Sequence, residues 1–195
     1  MSRRHPSLVV VTGVSATGKT TLCDYLASRK SLPDFAIRQI DEAGVPPVGR
    51  GGWRLYRIEQ LLFESTALAR AGGSTLLAGI IKPHEVYESQ YLPPRTAIHF
   101  ILLDLSDGAI RRRLDERIAN VDRYQDASQS GGFDESFSKR SRAQTLRSNL
   151  ETAAQLRQTV GALRQGHVLH VETQTVEQTA ASVVQLANQA LHGPA

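Results

Sequence analysis

Cysteine is almost missing from this 195-residue chain. Cys23 stands alone, so no intramolecular disulfide can form, and a reducing compartment fits. Methionine and tryptophan are just as scarce, and no Cys/His cluster has metal-ligand spacing, so no zinc site is expected. No apolar run approaches a membrane span. The basic start "MSRRHPS" leads into an apolar run that ends at Thr12, too short for the h-region of a secretory signal. The expectation is a soluble cytoplasmic protein without a membrane partner. Repeats at solenoid spacing and low-complexity tracts are also absent, and the length suits one domain that buries roughly 70% of its unfolded surface.

Lysine is rare too: Lys19, Lys30, Lys82 and Lys139 are the only ones, and arginine supplies the rest of the 23 basic side chains against 19 acidic ones. An arginine excess suits nucleic acid, but it equally suits bidentate recognition of phosphate in small molecules. Here the basic residues alternate with acids along helical segments and lack interleaved aromatics, which argues against a nucleic-acid partner.

What the chain does have is an alternation of apolar runs and helical periods, the pattern of parallel strands joined by helices. "SLVVV" is the first strand, and a helix follows from about Lys19 to Arg29. "FAIRQI" is the second strand, closed by Asp41, Glu42 and a turn-rich segment. Residues 53–71 read as a helix with Trp53, Tyr56, Leu61, Leu62 and Leu68 on its apolar face, ended by Gly72 and Gly73. "STLLAGII" is a strand covered on both faces, and Pro83 opens a short helix after it. "TAIHFILLDL" comes next. Ser106 or Asp107 caps a helix to about Asn120, and the polar stretch beyond it, about 118–142, reads as a lid. A helix over about 137–164, the strand "HVLHV" and a terminal helix capped by a Thr175–Gln178 box complete five strands.

Chemistry enters at "GVSATGKT", Gly13 to Thr20, which satisfies G-x-x-x-x-G-K-[ST] between a strand and a helix. Gly13 and Gly18 allow the turn, and the backbone N–H groups of Ser15, Ala16, Thr17, Gly18 and the residues after them can face a phosphate at the helix N-terminus. Lys19 suits the β- and γ-phosphates of ATP, and the Thr20 hydroxyl suits Mg²⁺, with Thr21 beside it. Chance alone produces the pattern in a chain of this length on the order of 1% of the time. No guanine-reading N-K-x-D element accompanies it, which excludes a switch GTPase.

With "GVSATGKTTL", Asp41 after the second strand, and "RRRLDER", the chain resembles the small-molecule P-loop kinases, the group containing adenylate, shikimate, gluconate and uridine kinases. The resemblance covers most of the chain. One departure is Ala16, where many members have glycine. It implies a three-layer α/β/α P-loop fold with a five-stranded parallel sheet and a mobile lid. It also implies ATP and Mg²⁺ as cofactors, a small-molecule acceptor, and a monomer or homodimer. By resemblance Arg117 lies by the adenine and Arg123 reaches the transferring phosphoryl. Arg113, a like-charged i,i+4 neighbour of Arg117, fits an anion or aromatic ring between them, and Thr173 after the last strand joins the nucleotide side. Arg111 with Asp115 and Arg112 with Glu116 are opposite-charge i,i+4 pairs, fully explained as surface ion pairs.

The carboxyl edge of the second strand offers Asp41 and Glu42. Asp41 can accept the proton of an acceptor hydroxyl or hold a metal-bound water; the plainer alternative is a strand-end turn. Asp104 ends an apolar run as a Walker B carboxylate would, but its place before the lid helix favours a structural role. Acceptor contacts are expected from "GRGGWRLYR", namely Arg50, Trp53, Arg54 and Arg57, and from Gly79 and Lys82. An ordinary basic helix start with Trp53 in the core explains the first group equally well. The functional expectation is an ATP-dependent phosphotransferase acting on a small hydroxylated acceptor, and the alternative is an ATP-binding sensor or regulatory module.

Overall fold

A computed structural model describes residues 6–42, 44, 52–92, 97–120 and 142–192. Five parallel strands form one sheet in the order β2-β3-β1-β4-β5, with helices on both sides. The strands are β1 (Ser7–Thr12), β2 (Phe35–Gln39), β3 (Ser74–Gly79), β4 (Ala97–Asp104) and β5 (Gly166–His170). The helices are α1 (Lys19–Ser28), α2 (Trp53–Arg70), α3 (Pro83–Tyr87), α4 (Asp107–Ala119), α5 (Arg142–Gly161) and α6 (Val176–His192).

Composition explains strand order. "SLVVVT" and "STLLAG" are buried at every position, as a strand covered on both faces requires, and they lie side by side at the centre. "FAIRQ" and "GHVLH" carry polar residues and sit half-exposed at the edges. From β1 the chain runs to the edge strand β2, returns through β3 and then crosses to β4 and β5. The connections after β1 and β4 therefore leave in opposite directions, and the loop after β1 opens at a topological switch point, where open α/β sheets bind ligands. Thr12 ends β1 by donating its hydroxyl to the Ile81 carbonyl at 2.8 Å and accepting the Ile81 N–H at 3.1 Å, which ties the loop after β3 to the same edge.

Element positions agree with the sequence reading, and the differences are local. Tyr56 is 71% exposed rather than on the apolar face of α2. The buried stripe runs through Ile58, Leu61, Leu62 and Ser65, and Tyr56 lies about 200° around the helix from Ile58 at 3.6 residues per turn. Helix α5 stops at Gly161 instead of 164, because Leu163 N–H turns back to the Val160 carbonyl and leads into β5. The i,i+4 ion pairs expected within α4 give way to pairs between elements. Arg112 binds Glu172 at 2.9 Å, and Asp115 is held by both Nε and Nη2 of Arg142. A bidentate fork from a neighbouring helix outcompetes a single contact along the same helix. Ser106, not Asp107, caps α4, accepting the Ala109 N–H, and the Thr175–Gln178 box is formed. The lid expected at about 118–142 lies outside the described residues from 121 to 141.

Candidate functional site

Residues 13–18 leave β1 and enter α1 through a loop that only certain residues can form. A Cβ on Gly13 would stand 2.7 Å from the Leu103 carbonyl oxygen, so the loop lies directly on the end of β4. Gly18, at φ 91, is left-handed immediately before the helix. Ala16 is also left-handed at φ 64, which costs an L-residue roughly 1–2 kcal/mol and makes it the strained point of the loop. Thr17 stabilises the turn by donating its hydroxyl to the Val14 carbonyl at 3.0 Å. Helix α1 has no acidic residue in its first turn, so its positive end is open to an anion, and Thr20 and Thr21 are exposed there.

Lys19 curls back over this loop. Its ammonium donates to the carbonyls of Gly13 and Val14 at 2.8 Å each and to the Thr17 hydroxyl at 3.3 Å. Burial lowers its pKa to about 8; Asp41 opposes that shift and Arg117 adds to it. Lys19 therefore lies within electrostatic range of both Asp41 and Arg117. A folded-state pKa near 8 leaves Lys19 largely neutral at pH 8.5, whereas the unfolded chain keeps it protonated up to its ordinary value of 10.5. The unfolded state then binds more protons, so this group's contribution to stability rises with pH across that window. A bound phosphate favours the ammonium, so nucleotide binding at pH 8.5 is expected to take up on the order of half a proton per site, fading toward pH 7. Calorimetric titration with Mg·ATP in two buffers of different ionisation enthalpy measures it; equal heats at pH 8.5 would contradict the assignment.

Asp41 stands just past β2, after Ile40 has added one more bond to the Ala78 carbonyl, and its own carbonyl accepts the Gly44 N–H in a turn. Glu42, beside it, is engaged elsewhere. It accepts the Gln39 N–H at 3.1 Å, Arg57 at 2.9 Å and Arg38 at 3.2 Å. Arg57 is buried in that network. Arg54 forks onto both carboxylate oxygens of Glu85 and reaches the Ile80 carbonyl at 2.9 Å. Burial opposes ionisation of Glu85, but Arg54 and the Lys82 N–H overcome it and hold the carboxyl below its usual range. The positive charge of Arg54 and Arg57 is thus already met by carboxylates: Glu85 joins α2 to α3 and the loop after β3, and Glu42 joins α2 to the turn after β2. Trp53 is half-buried at the start of α2, Lys82 caps α3, and Gly79 pairs with Thr12 beneath Ile40. Arg50 and Arg123 lie outside the described residues.

On the other side of the loop, Arg113 donates to the Ala16 carbonyl at 3.3 Å. Thr173 is exposed in the β5–α6 turn beside Glu172, which binds Arg112 and the Ser106 N–H. Asp104 meets Arg157 at 2.9 Å and His170 at 3.4 Å, and the same arginine binds Asp107 and the Leu105 carbonyl. Its carboxylate is therefore committed to joining β4, α4 and α5. Two contacts went unread in the sequence: Arg157, and Asn149, whose Oδ1 accepts the Ser15 N–H at 3.0 Å. Asn149 lies 134 positions from the loop, and nothing in its local pattern marks it. A cavity of about 510 Å³ lined by Phe35, Leu68, Gly73 and Leu191 opens at the opposite edge of the sheet, away from the loop. Among the described residues no group of His, Cys, Asp and Glu side chains forms a ready metal cage, and no helix is long and apolar enough to cross a membrane.

No protein-family model and no curated protein matches this sequence. Solved structures do. A candidate kinase from Chloroflexus aurantiacus superposes with a TM-score of 0.64 at 17% identity, covering 98% of this chain and 99% of that one. A sugar kinase from a Janibacter species gives a TM-score of 0.57 at 24% identity, covering 94% and 95%. A gluconokinase from Sinorhizobium meliloti gives 0.58 at 16% identity, covering 96% and 95%. At these identities the likeness shows the fold: the chain has the α/β architecture of P-loop kinase-like proteins over nearly its whole length.

Proposed function

We propose that the chain is an ATP-dependent phosphotransferase acting on a small-molecule acceptor. One observation carries the reading: a loop bounded by Gly13 and Gly18 stands at the switch point of the sheet with the Lys19 ammonium folded over it, 2.8 Å from the Gly13 and Val14 carbonyls, and Asp41 follows β2 at the same edge. The kinase names carried by the structural neighbours are in keeping with this choice.

In this reading the N–H groups of the loop from Ala16 onward and the Lys19 ammonium hold the phosphates, the Ser15 N–H being given to Asn149 instead, and Arg117 adds positive charge beside them. Asp41 takes the proton from the acceptor hydroxyl as its oxygen attacks the γ-phosphorus, and ADP leaves with the bridging oxygen. Mg²⁺ fits the donors available, because it keeps several waters and takes few protein ligands: the exposed Thr20 hydroxyl would hold it together with phosphate oxygens and would help balance their charge. The end of β3 carries glycine rather than a carboxylate, in line with so sparse a metal shell. An ADP-release screen across nucleosides, nucleotides, sugar acids and antibiotics tests the proposal. One acceptor class should raise turnover well above background hydrolysis. Tight Mg·ATP binding with no turnover on any of them would favour a regulatory module instead.

A further inference from the structure

The strained residue of the phosphate loop is bracketed by two helices distant in sequence, and we infer that Asn149 is a positioning residue that sets ATP affinity by holding Ala16 left-handed. The inference rests on the phosphate-loop reading above. Three observations converge. Ala16 is an alanine at φ 64, a conformation that glycine adopts freely and alanine resists. The peptide before Ser15 is fixed by the bond from the Ser15 N–H to Asn149 Oδ1 at 3.0 Å. The peptide after Ala16 is fixed by Arg113, which donates to its carbonyl at 3.3 Å.

Between those two fixed planes lies the 15–16 peptide, whose N–H must face the phosphates for the cradle to work. Asn149 is itself held, since its Nδ2 donates to the Thr145 carbonyl one turn back along α5 at 2.9 Å. Its oxygen is therefore a fixed acceptor rather than a mobile one. Arg113 on α4 holds the other side, so the helices that flank residues 121–141 both anchor on Ser15 and Ala16. In this chain an amide and a guanidinium supply the restraint that glycine makes unnecessary elsewhere.

The expected result follows from population arithmetic. Without the Asn149 bond the loop relaxes toward conformations alanine prefers, and apparent affinity falls by the fraction still competent. Converted to a ratio, the left-handed preference of glycine over alanine is on the order of tenfold. Once bound, the phosphates hold the loop themselves. Asn149→Ala should therefore raise the calorimetric Kd and the KM for Mg·ATP about tenfold, with kcat changed less than about threefold. In the Ala16→Gly background the same substitution should cost less than about threefold in Kd, because glycine needs no clamp. Asn149→Leu, which removes the acceptor but keeps the volume, should reproduce the pattern if the alanine variant folds poorly, and melting without nucleotide checks folding. An unchanged Kd for both variants overturns the inference, as does an equal penalty in the two backgrounds or a loss confined to kcat. If the wild-type chain binds no Mg·ATP, the phosphate-loop reading fails first and takes the inference with it, so the two failures are told apart by the wild-type titration alone.

Discussion

Lys19→Met is expected to raise the Kd for Mg·ATP at least 100-fold while leaving the empty protein as stable as the wild type, or slightly more so. The first half follows from what the ammonium does when phosphates arrive. In the empty loop it donates to two carbonyls and a hydroxyl, all neutral acceptors. Both sets of bonds have a charged donor, so the gain on exchange is the attraction of the ammonium for anionic oxygens, about 4 kcal/mol for a unit pair about 4 Å apart near a protein surface, or a factor of about 10³. The second half follows from the cost of the same group. Burial has already drawn the Lys19 pKa down to about 8, so folding desolvates a cation that methionine would not present. The wild type should melt several degrees higher with saturating Mg·ATP than without it, and the variant should show no such gain. Calorimetry and paired melts measure both halves, and a variant that binds Mg·ATP within tenfold of wild type would remove Lys19 from the site.

How much of this was legible in the sequence depends on whether the information was local. The central strands announce themselves because burial on both faces demands continuous apolar runs, and "SLVVVT" and "STLLAG" have no other good use. The loop was legible for the same reason: its glycines, lysine and threonine act through their own backbone and immediate neighbours. Ion pairing was not legible. Asp115 has a partner four residues away in Arg111, yet it binds Arg142 from another helix; Glu42 collects Arg57 and Arg38, and Arg54 forks onto Glu85. Which arginine meets which carboxylate is decided by how the helices pack, and helical spacing cannot report it. Asn149 is the extreme case, a single amide on an otherwise ordinary helix whose role exists only because the sheet order β1-β4-β5 brings α5 against the loop after β1.

The acceptor side changes most once the structure is considered. In sequence, Arg54 and Arg57 look like free positive charge waiting for an anionic acceptor. In the fold each already meets a carboxylate, Glu85 on α3 for Arg54 and Glu42 after β2 for Arg57. An acceptor that drew Arg54 away would leave the buried Glu85 carboxylate without its partner, which costs about 3–5 kcal/mol, whereas Glu42 is exposed and keeps Arg38. For Arg54 the balance weighs against an acceptor that needs its guanidinium group.

Asp41→Asn is accordingly expected to lower kcat by about 10²- to 10³-fold with little change in Mg·ATP affinity at pH 7, the range general-base loss commonly costs. The amide keeps the size of the side chain and the turn made by the Asp41 carbonyl and the Gly44 N–H, so a purely structural residue would show almost no effect. A second readout is independent of acceptor chemistry. The Asp41 charge raises the Lys19 pKa against the burial that lowers it. Removing that charge should move the alkaline loss of Mg·ATP binding to lower pH, because Lys19 then gives up its proton more readily. Glu42→Gln is the matched control. Glu42 is bound to Arg57, Arg38 and the Gln39 N–H, so its neutralisation should lower the melting temperature by a few degrees and leave the pH dependence of binding in place. If Asp41→Asn turned over as fast as wild type on every active acceptor, the carboxylate would be a turn residue, and the proton would have to leave the acceptor directly to water or to the phosphoryl group itself.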